Sequence, residues 1–249
     1  MSEWQRWRAS RQAEARSAHG WLAVTGTHWV ESEGRLPGVP GVWRPRQGGV
    51  ELKAIPLDGL TVNGRPVDGT IALSPETKRI AYGPVELVII VRDGTAAVRI
   101  YDPAAPALAA FKGIDAFGYD PVWVRPACFR PYEHGRHEQV ANADGRTREL
   151  SLVGDVTVDL PGGAHTLAVS RSGDGLTAQF GDLTNGASTY GFRTLALPLP
   201  GPAGALTADF NRAYLPPCAF AAHFLCPLPP VGNRLPVAVE AGEKSVLFR

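Results

Sequence analysis

The run D-F-N-R-A-Y at 209–214 gathers an acid, an amide, a guanidinium and a phenol in one short stretch: Asp209, Asn211, Arg212 and Tyr214. A guanidinium fork holds two oxygens of a carboxylate or phosphate at once, so Arg212 suits a small anionic ligand. A carboxylate beside a cation serves as general acid or base when burial tunes its pKa, which makes Asp209 a candidate catalytic group. On a strand, alternate side chains share a face. Asp209 and Asn211 would then face one way, and Arg212 and Tyr214 roughly the other. Two further sets have similar content. Asp182, Thr184, Tyr190 and Arg193 come one segment earlier, and Asn233, Arg234, Glu240, Glu243 and Lys244 follow. From these sets, Asp209, Glu243 and Tyr214 are the expected catalytic residues. Arg212, Asn211, Arg193, Asp182, Arg234 and Lys244 are the expected ligand-binding residues. The competing reading is that Asp–Arg and Glu–Lys pairs clamp irregular loops to the rim of a β body.

Cysteine and histidine offer a second chemistry. Cys218, His223 and Cys226 form C-x4-H-x2-C, and thiolates with an imidazole are good zinc ligands. The spacing matches no common zinc module, so the expectation is no metal, with the cysteines packed and reduced. A disulfide between Cys218 and Cys226 is geometrically feasible but disfavoured in a reducing compartment. A nucleophilic Cys218 would need its pKa lowered by a neighbour, for which His223, Arg212 and Arg234 are candidates. His134 and His137, in the polar run P-Y-E-H-G-R-H-E, read as exposed histidines on a turn, and His28 as a satisfied core histidine.

These groups need a scaffold, and the chain punctuates like an all-β protein. Its 28 glycines and 22 prolines fall largely in turn signals. Asn63-Gly64, Asp93-Gly94, Asp144-Gly145 and Asp174-Gly175 each separate short alternating or apolar runs, which predicts hairpins. Residues 2 to about 18 form the convincing helix. Ser2 is its cap, Glu3 sits in the first turn, and Trp4, Trp7, Arg11 and Ala15 lie at helical spacing. Arg6, Arg8, Arg11 and Arg16 read as a solvated face diluted by Glu3 and Glu14. Gly20 is placed to end the helix. A short helical turn is expected in P-A-A-P-A-L-A-A-F-K, and P-L-P-G-P-A-G is a loop. The fold class is therefore mainly β: a single-domain barrel-like or two-sheet antiparallel body over 20–249, with an N-terminal helix (1–19) packed outside.

Composition narrows the function classes. Hydrophobic residues make up 44% and charged residues 20% of 249, enough for a full core without metal or disulfide. The net charge of +1, from 25 basic and 24 acidic residues, gives no clustered positive excess for nucleic acid or a membrane surface. The start, M-S-E-W-Q-R-W-R, lacks a signal peptide's apolar core, and no apolar run approaches the ~18 residues of a membrane span. The expected location is the cytoplasm.

Several runs together resemble the DUF1684 family, bacterial proteins of unknown function. They are W-R-A-S-R near the start, G-W-L-A-V-T-G-T-H-W-V at 20–30, V-R-D-G-T-A-A-V-R-I-Y-D at 91–102 and F-G-D-L-T-N-G-A-S-T-Y-G-F-R at 180–193. D-F-N-R-A-Y-L-P-P-C-A-F and C-P-L-P-P-V-G-N-R-L-P-V-A-V-E-A-G-E-K complete the resemblance. The family pattern reads R-A-Y-N-P-P-C, and Leu215 stands here at the asparagine; His223 stands where an aromatic residue is usual. If the asparagine contacts a ligand in the family, this chain has changed its substrate or lost the activity. The resemblance implies no particular activity.

The residues themselves suggest a cofactor-free enzyme of hydrolase or lyase type, acting on a small anionic metabolite in a pocket at the mouth of the β body. A non-catalytic small-ligand binding protein and a structural or interaction module are the alternatives. The sequence sets no oligomeric state.

Overall fold

The computed structural model describes residues 1–143 and 145–249. Asp144 of the expected Asp144-Gly145 turn lies outside the described residues. The chain is mainly β, with antiparallel sheets and an N-terminal helix. Residues 20–249 read from sequence as one β body. In the structure they divide between two compact units, Ala13–Ala110 and Met1–Gln12 with Phe111–Arg249. Two separate apolar cores account for the division. The boundary falls at the end of the helix Pro106–Ala110, inside the run read as a helical turn.

The unit Ala13–Ala110 holds a six-stranded and a four-stranded antiparallel sheet. Both contribute to a core that includes Trp43, Leu52, Leu60, Ile80, Leu87 and Val98. Its hairpins follow the turn chemistry of the sequence. Asn63 and Gly64 have φ of 51° and 77°, and Asp93 and Gly94 have 49° and 78°. Positive φ at both central residues matches the right-handed twist of the flanking strands, which is why Asn-Gly and Asp-Gly are selected there.

The second unit is built on a six-stranded antiparallel sheet. Its strands, in spatial order, are Arg193–Pro198, Gly175–Phe180, Gly163–Ser172, Thr147–Leu160, Val124–Ala141 and Ala205–Asp209. The two edge strands are successive in the chain, joined by the expected P-L-P-G-P-A-G loop, and the sheet nearly closes on itself. Inward residues alternate along each strand, as in the buried Val156, Val158 and Leu160. They pack with Phe180, Leu195 and Phe210 into the core. A two-stranded ribbon pairs Phe111–Ala116 with Glu243–Phe248. Between Phe210 and Gly242 the chain has no regular strand, only three-residue helical turns and isolated bridges, so its backbone depends on side-chain partners.

The helix Glu3–Arg16 is capped as expected. The Gln5 amide donates to Ser2 Oγ at 3.2 Å, and the Ser2 amide to Gln5 Oε1 at 2.8 Å, a reciprocal capping box. Arg11 and Ala15 are buried along the expected stripe. Arg11 therefore leaves the solvated face to which the charge pattern assigned it, because a buried carboxylate receives it. Gly20 has φ −79°, so it is not a left-handed terminator. A Cβ there would run into the carbonyl oxygens of Glu14 and Ala15, and close approach is what requires glycine. The expected Asp174-Gly175 turn sits one residue early, on Gly173 and Asp174. His134 and His137 are exposed, but on the long strand Val124–Ala141 and not on a turn.

Candidate functional site

Asp182 and Arg193 form a fully buried ion pair, with Nη2 2.7 Å from Oδ2. The same Nη2 donates to the Val239 carbonyl at 2.8 Å, and Nη1 donates to the Ala241 carbonyl. Asp182 Oδ1 accepts from the Thr184 amide at 2.8 Å and the Val239 amide at 3.3 Å. Burial pushes the Arg193 pKa down, opposed by the Asp182 carboxylate. Two side chains expected to bind ligand thus pin the irregular segment 239–243 to the sheet.

Glu243, expected as an acid or base, is buried as well. Its oxygens accept from Arg11 Nε and Nη2, both at 2.9 Å, and Oε2 also accepts from the Leu215 amide at 2.7 Å. Arg11 Nη2 donates to the Leu215 carbonyl at 3.0 Å, and its guanidinium lies 4.6 Å from the Tyr214 ring centroid. The carboxylate joins the N-terminal helix to the 213–215 segment. Leu215 is fully buried, and its backbone makes these contacts.

Asn233 is a third tie. Its side chain exchanges two 2.8 Å hydrogen bonds with the Ala168 backbone and donates to the Gln179 carbonyl, also at 2.8 Å. Sequence reading grouped it with pocket residues, whereas here it joins segment 231–233 to two strands. Asn233→Ala is expected to lower stability by about 2–3 kcal/mol, because it orphans buried backbone groups on both strands. A fall in the urea midpoint at unchanged m would show this. Lys244 pairs with Asp115 at 2.8 Å, and Arg234 is exposed beside Gly181.

The 209–214 run divides differently from its strand reading. The strand ends at Asp209, which caps the turn Phe210–Arg212 by accepting from the Asn211 amide at 3.0 Å. Spacing within a turn is close to three residues, so Asp209 and Arg212 share a side while Asn211 turns inward. Asn211 is buried, accepting from the Asp120 amide at 3.0 Å and donating to the Asp120 carbonyl at 2.9 Å. Asp209 and Arg212 line a cleft of about 500 Å³ with Glu3, Trp4, Tyr119 and Val124. Trp4 and Tyr119 meet edge to face, with ring centroids 5.9 Å apart. Arg212 Nη2 donates to Glu3 Oε1 at 2.6 Å, and that bond lowers the Glu3 pKa. Arg212 Nε lies 3.4 Å from Asp209 Oδ2 without the alignment of a hydrogen bond, and it is buried with no hydrogen-bond partner among the described residues. The helix side of this cleft was missed from sequence. Helical spacing placed Trp4 on the helix but did not show what it would face.

Tyr214 opens on a different cavity of about 190 Å³, shared with Phe192, Thr194, Pro216, Pro217 and Cys226. The expected catalytic set of Asp209, Glu243 and Tyr214 does not converge. His223 is exposed, and among the described residues no three His, Cys, Asp or Glu side chains are grouped to hold a metal ion. Cys218 and Cys226 are both thiols. Cys226 Sγ accepts from the Cys218 amide at 3.3 Å. The Tyr190 hydroxyl donates to the Cys218 carbonyl at 3.4 Å and lies 3.7 Å from its sulfur. The neighbours that act on Cys218 are thus Cys226 and Tyr190, not the histidine or arginines that were the candidates for activating it.

Fold and site together define an antiparallel β protein whose irregular C-terminal segment is pinned by buried polar clamps beside an open cleft. The family model described as "Protein of unknown function (DUF1684)" matches residues 109–244, more than half of the chain, and the chain belongs to that family. No curated protein matches. Among solved structures, the chain is similar to the solution NMR structure of an uncharacterized protein from Haloarcula marismortui. The two are 32% identical over 54% of this chain and 77% of that one, with a TM-score of 0.46. No helix among the described residues is long and apolar enough to cross a membrane.

Proposed function

We propose that this protein binds a small anionic molecule with an apolar or aromatic body in the Arg212 cleft. The observation that carries this reading is the Arg212 guanidinium lining a cleft of about 500 Å³ walled by Trp4 and Tyr119, its Nη2 met only by the exposed Glu3. A carboxylate or phosphate arriving there would take two guanidinium nitrogens, and the rings would cover its body. The exposed Glu3 is the ion-pair partner that a ligand would displace, and an exposed pair contributes only about 0–1 kcal/mol. In this reading the protein works in the cytoplasm, consistent with cysteines held as thiols. A hydrolase or lyase reading has one support, Asp209 beside Arg212 in the same cleft.

Titration with a panel of aliphatic and aromatic carboxylates and phosphates, followed by tryptophan fluorescence and calorimetry, tests the proposal. Arg212→Ala should weaken the best ligand by about tenfold to a hundredfold. Its stability should stay within about 0.5 kcal/mol of wild type, since the side chain lies at the surface. Trp4→Phe should remove most of the fluorescence change. Unaltered affinity in Arg212→Ala would overturn the site. Turnover of the bound compound that Asp209→Asn abolishes would favour the enzyme over the binder.

A further inference from the structure

Cys218 and Cys226 take no part in the cleft or the clamps, yet the fold brings them together with care. Pro216 and Pro217 precede one and Pro227 follows the other. Between them the chain doubles back through Ala219 N to Pro216 O (2.9 Å), Phe220 N to Pro217 O (3.0 Å) and Phe224 N to Ala221 O (3.3 Å). The Ala143 amide holds the Cys226 carbonyl at 2.8 Å. Tyr190 is fixed from the opposite side, where Asn185 Nδ2 donates to its carbonyl at 2.9 Å and its own amide donates to the Lys244 carbonyl at 2.8 Å. The two thiols differ. Cys218 is partly exposed, whereas Cys226 is buried against the cavity of about 190 Å³.

We propose that Cys218 and Cys226 are a peroxide-reactive thiol pair, with Cys218 the attacking sulfur and Cys226 the resolving one. Two observations favour Cys218 as nucleophile: its partial exposure and the Tyr190 hydroxyl 3.7 Å from its sulfur. The Cys226 hydrogen bond is the largest influence lowering the Cys218 pKa; burial opposes it, and Tyr190 assists. Burial and the neighbouring sulfur push the Tyr190 pKa up, so the phenol stays a donor while the thiol ionises.

The co-reactant is a small hydroperoxide. The Cys218 thiolate attacks the terminal peroxide oxygen. An S–O bond forms and the O–O bond breaks, and the proton given up by Cys218 leaves with the alcohol. The Cys226 thiolate then attacks the sulfenic sulfur. The S–S bond forms and the S–O bond breaks, and hydroxide leaves as water with the Cys226 proton. Two thiols lose two electrons in all, and the hydroperoxide is reduced to alcohol and water. The Cys218 amide lies 3.3 Å from Cys226 Sγ, which places the two residues side by side, as disulfide closure requires.

Cys128, exposed in the same chain, is the internal reference. The intact wild-type protein is treated with one equivalent of hydrogen peroxide, then alkylated and mapped by mass spectrometry. Reactive thiols should fall from three to one, with Cys218 and Cys226 joined in a single peptide pair and Cys128 alkylated, and a dithiol reductant should restore all three. In Cys226→Ser, the sulfenic acid should persist on Cys218 and be trapped by dimedone. Without peroxide, the pH midpoint for alkylating Cys218 should lie below that of Cys128 and rise in Tyr190→Phe. Oxidation of Cys128 ahead of the pair, or a Cys218 that reacts more slowly than Cys128 at every pH, would overturn the proposal. Both are read on wild-type protein, whatever the variants do to folding. Arg212→Ala should leave every one of these results unchanged, which separates this pair from the ligand cleft.

Discussion

Arg193→Met is expected to lower the stability of the unit that contains it by about 3–5 kcal/mol, the range for removing one partner of a buried ion pair. The side chain is fully buried, and its loss strands the Asp182 carboxylate in the interior. It also leaves the carbonyls of Val239 and Ala241 without their donor. Lysine cannot substitute, because a single ammonium cannot span a carboxylate and two carbonyls as the planar fork does. Arg193→Lys should therefore recover only a minor part of the loss. Asp182→Asn combined with Arg193→Met should be less damaging than the sum of the single changes, since the stranded charge is gone while the bare carbonyls remain. Urea unfolding read by circular dichroism measures all of these as shifts in midpoint at unchanged m. An Arg193→Met protein within about 1 kcal/mol of wild type would remove Arg193 from the clamp, given the range for buried pairs.

The turns and the helix were legible because their signals are local. Asn63-Gly64 and Asp93-Gly94 carry the left-handed backbone their hairpins need, and Ser2 with Gln5 closes a capping box within four residues. The family runs at 180–193 and beyond were legible as strings, and they fall within the matched residues 109–244. The separation into two cores was not, because the same period-two alternation marks a strand whichever sheet it joins. The roles of the polar residues were hidden for the same reason. Arg11 and Glu243 are 232 positions apart, and Arg193 reaches carbonyls 46 and 48 positions away. Composition identified residues able to hold an anion, but a protein carboxylate and a row of carbonyls satisfy a guanidinium as well as a ligand does. Asp209 and Arg212 show the opposite case. A strand would have put them on opposite faces, and the turn Phe210–Arg212 instead brings both to the lining of one cleft. Tyr190 was grouped with Arg193 for anion binding, and its hydroxyl instead meets Cys218.

Glu243 is where the clamp and catalytic readings give opposite results. A catalytic carboxylate can become an amide with stability preserved and activity lost. A clamp cannot, because Glu243 accepts two hydrogen bonds from buried Arg11 and a third from the Leu215 amide. Glu243→Ala should therefore cost about 3–5 kcal/mol, as a buried arginine loses its counter-charge. Glu243→Gln keeps the shape and one acceptor oxygen, so it should lose less. The helix should also loosen, since Arg11 is its deepest polar anchor. Hydrogen exchange of the Glu3–Arg16 amides should accelerate in Glu243→Ala before the strand amides of Thr147–Leu160 change. Arg11→Met should produce the same order of exchange, because it removes the other half of the same tie. If Glu243→Gln unfolds at the wild-type urea midpoint with the helix fully protected, the carboxylate is not holding that helix, and its chemistry must be sought instead.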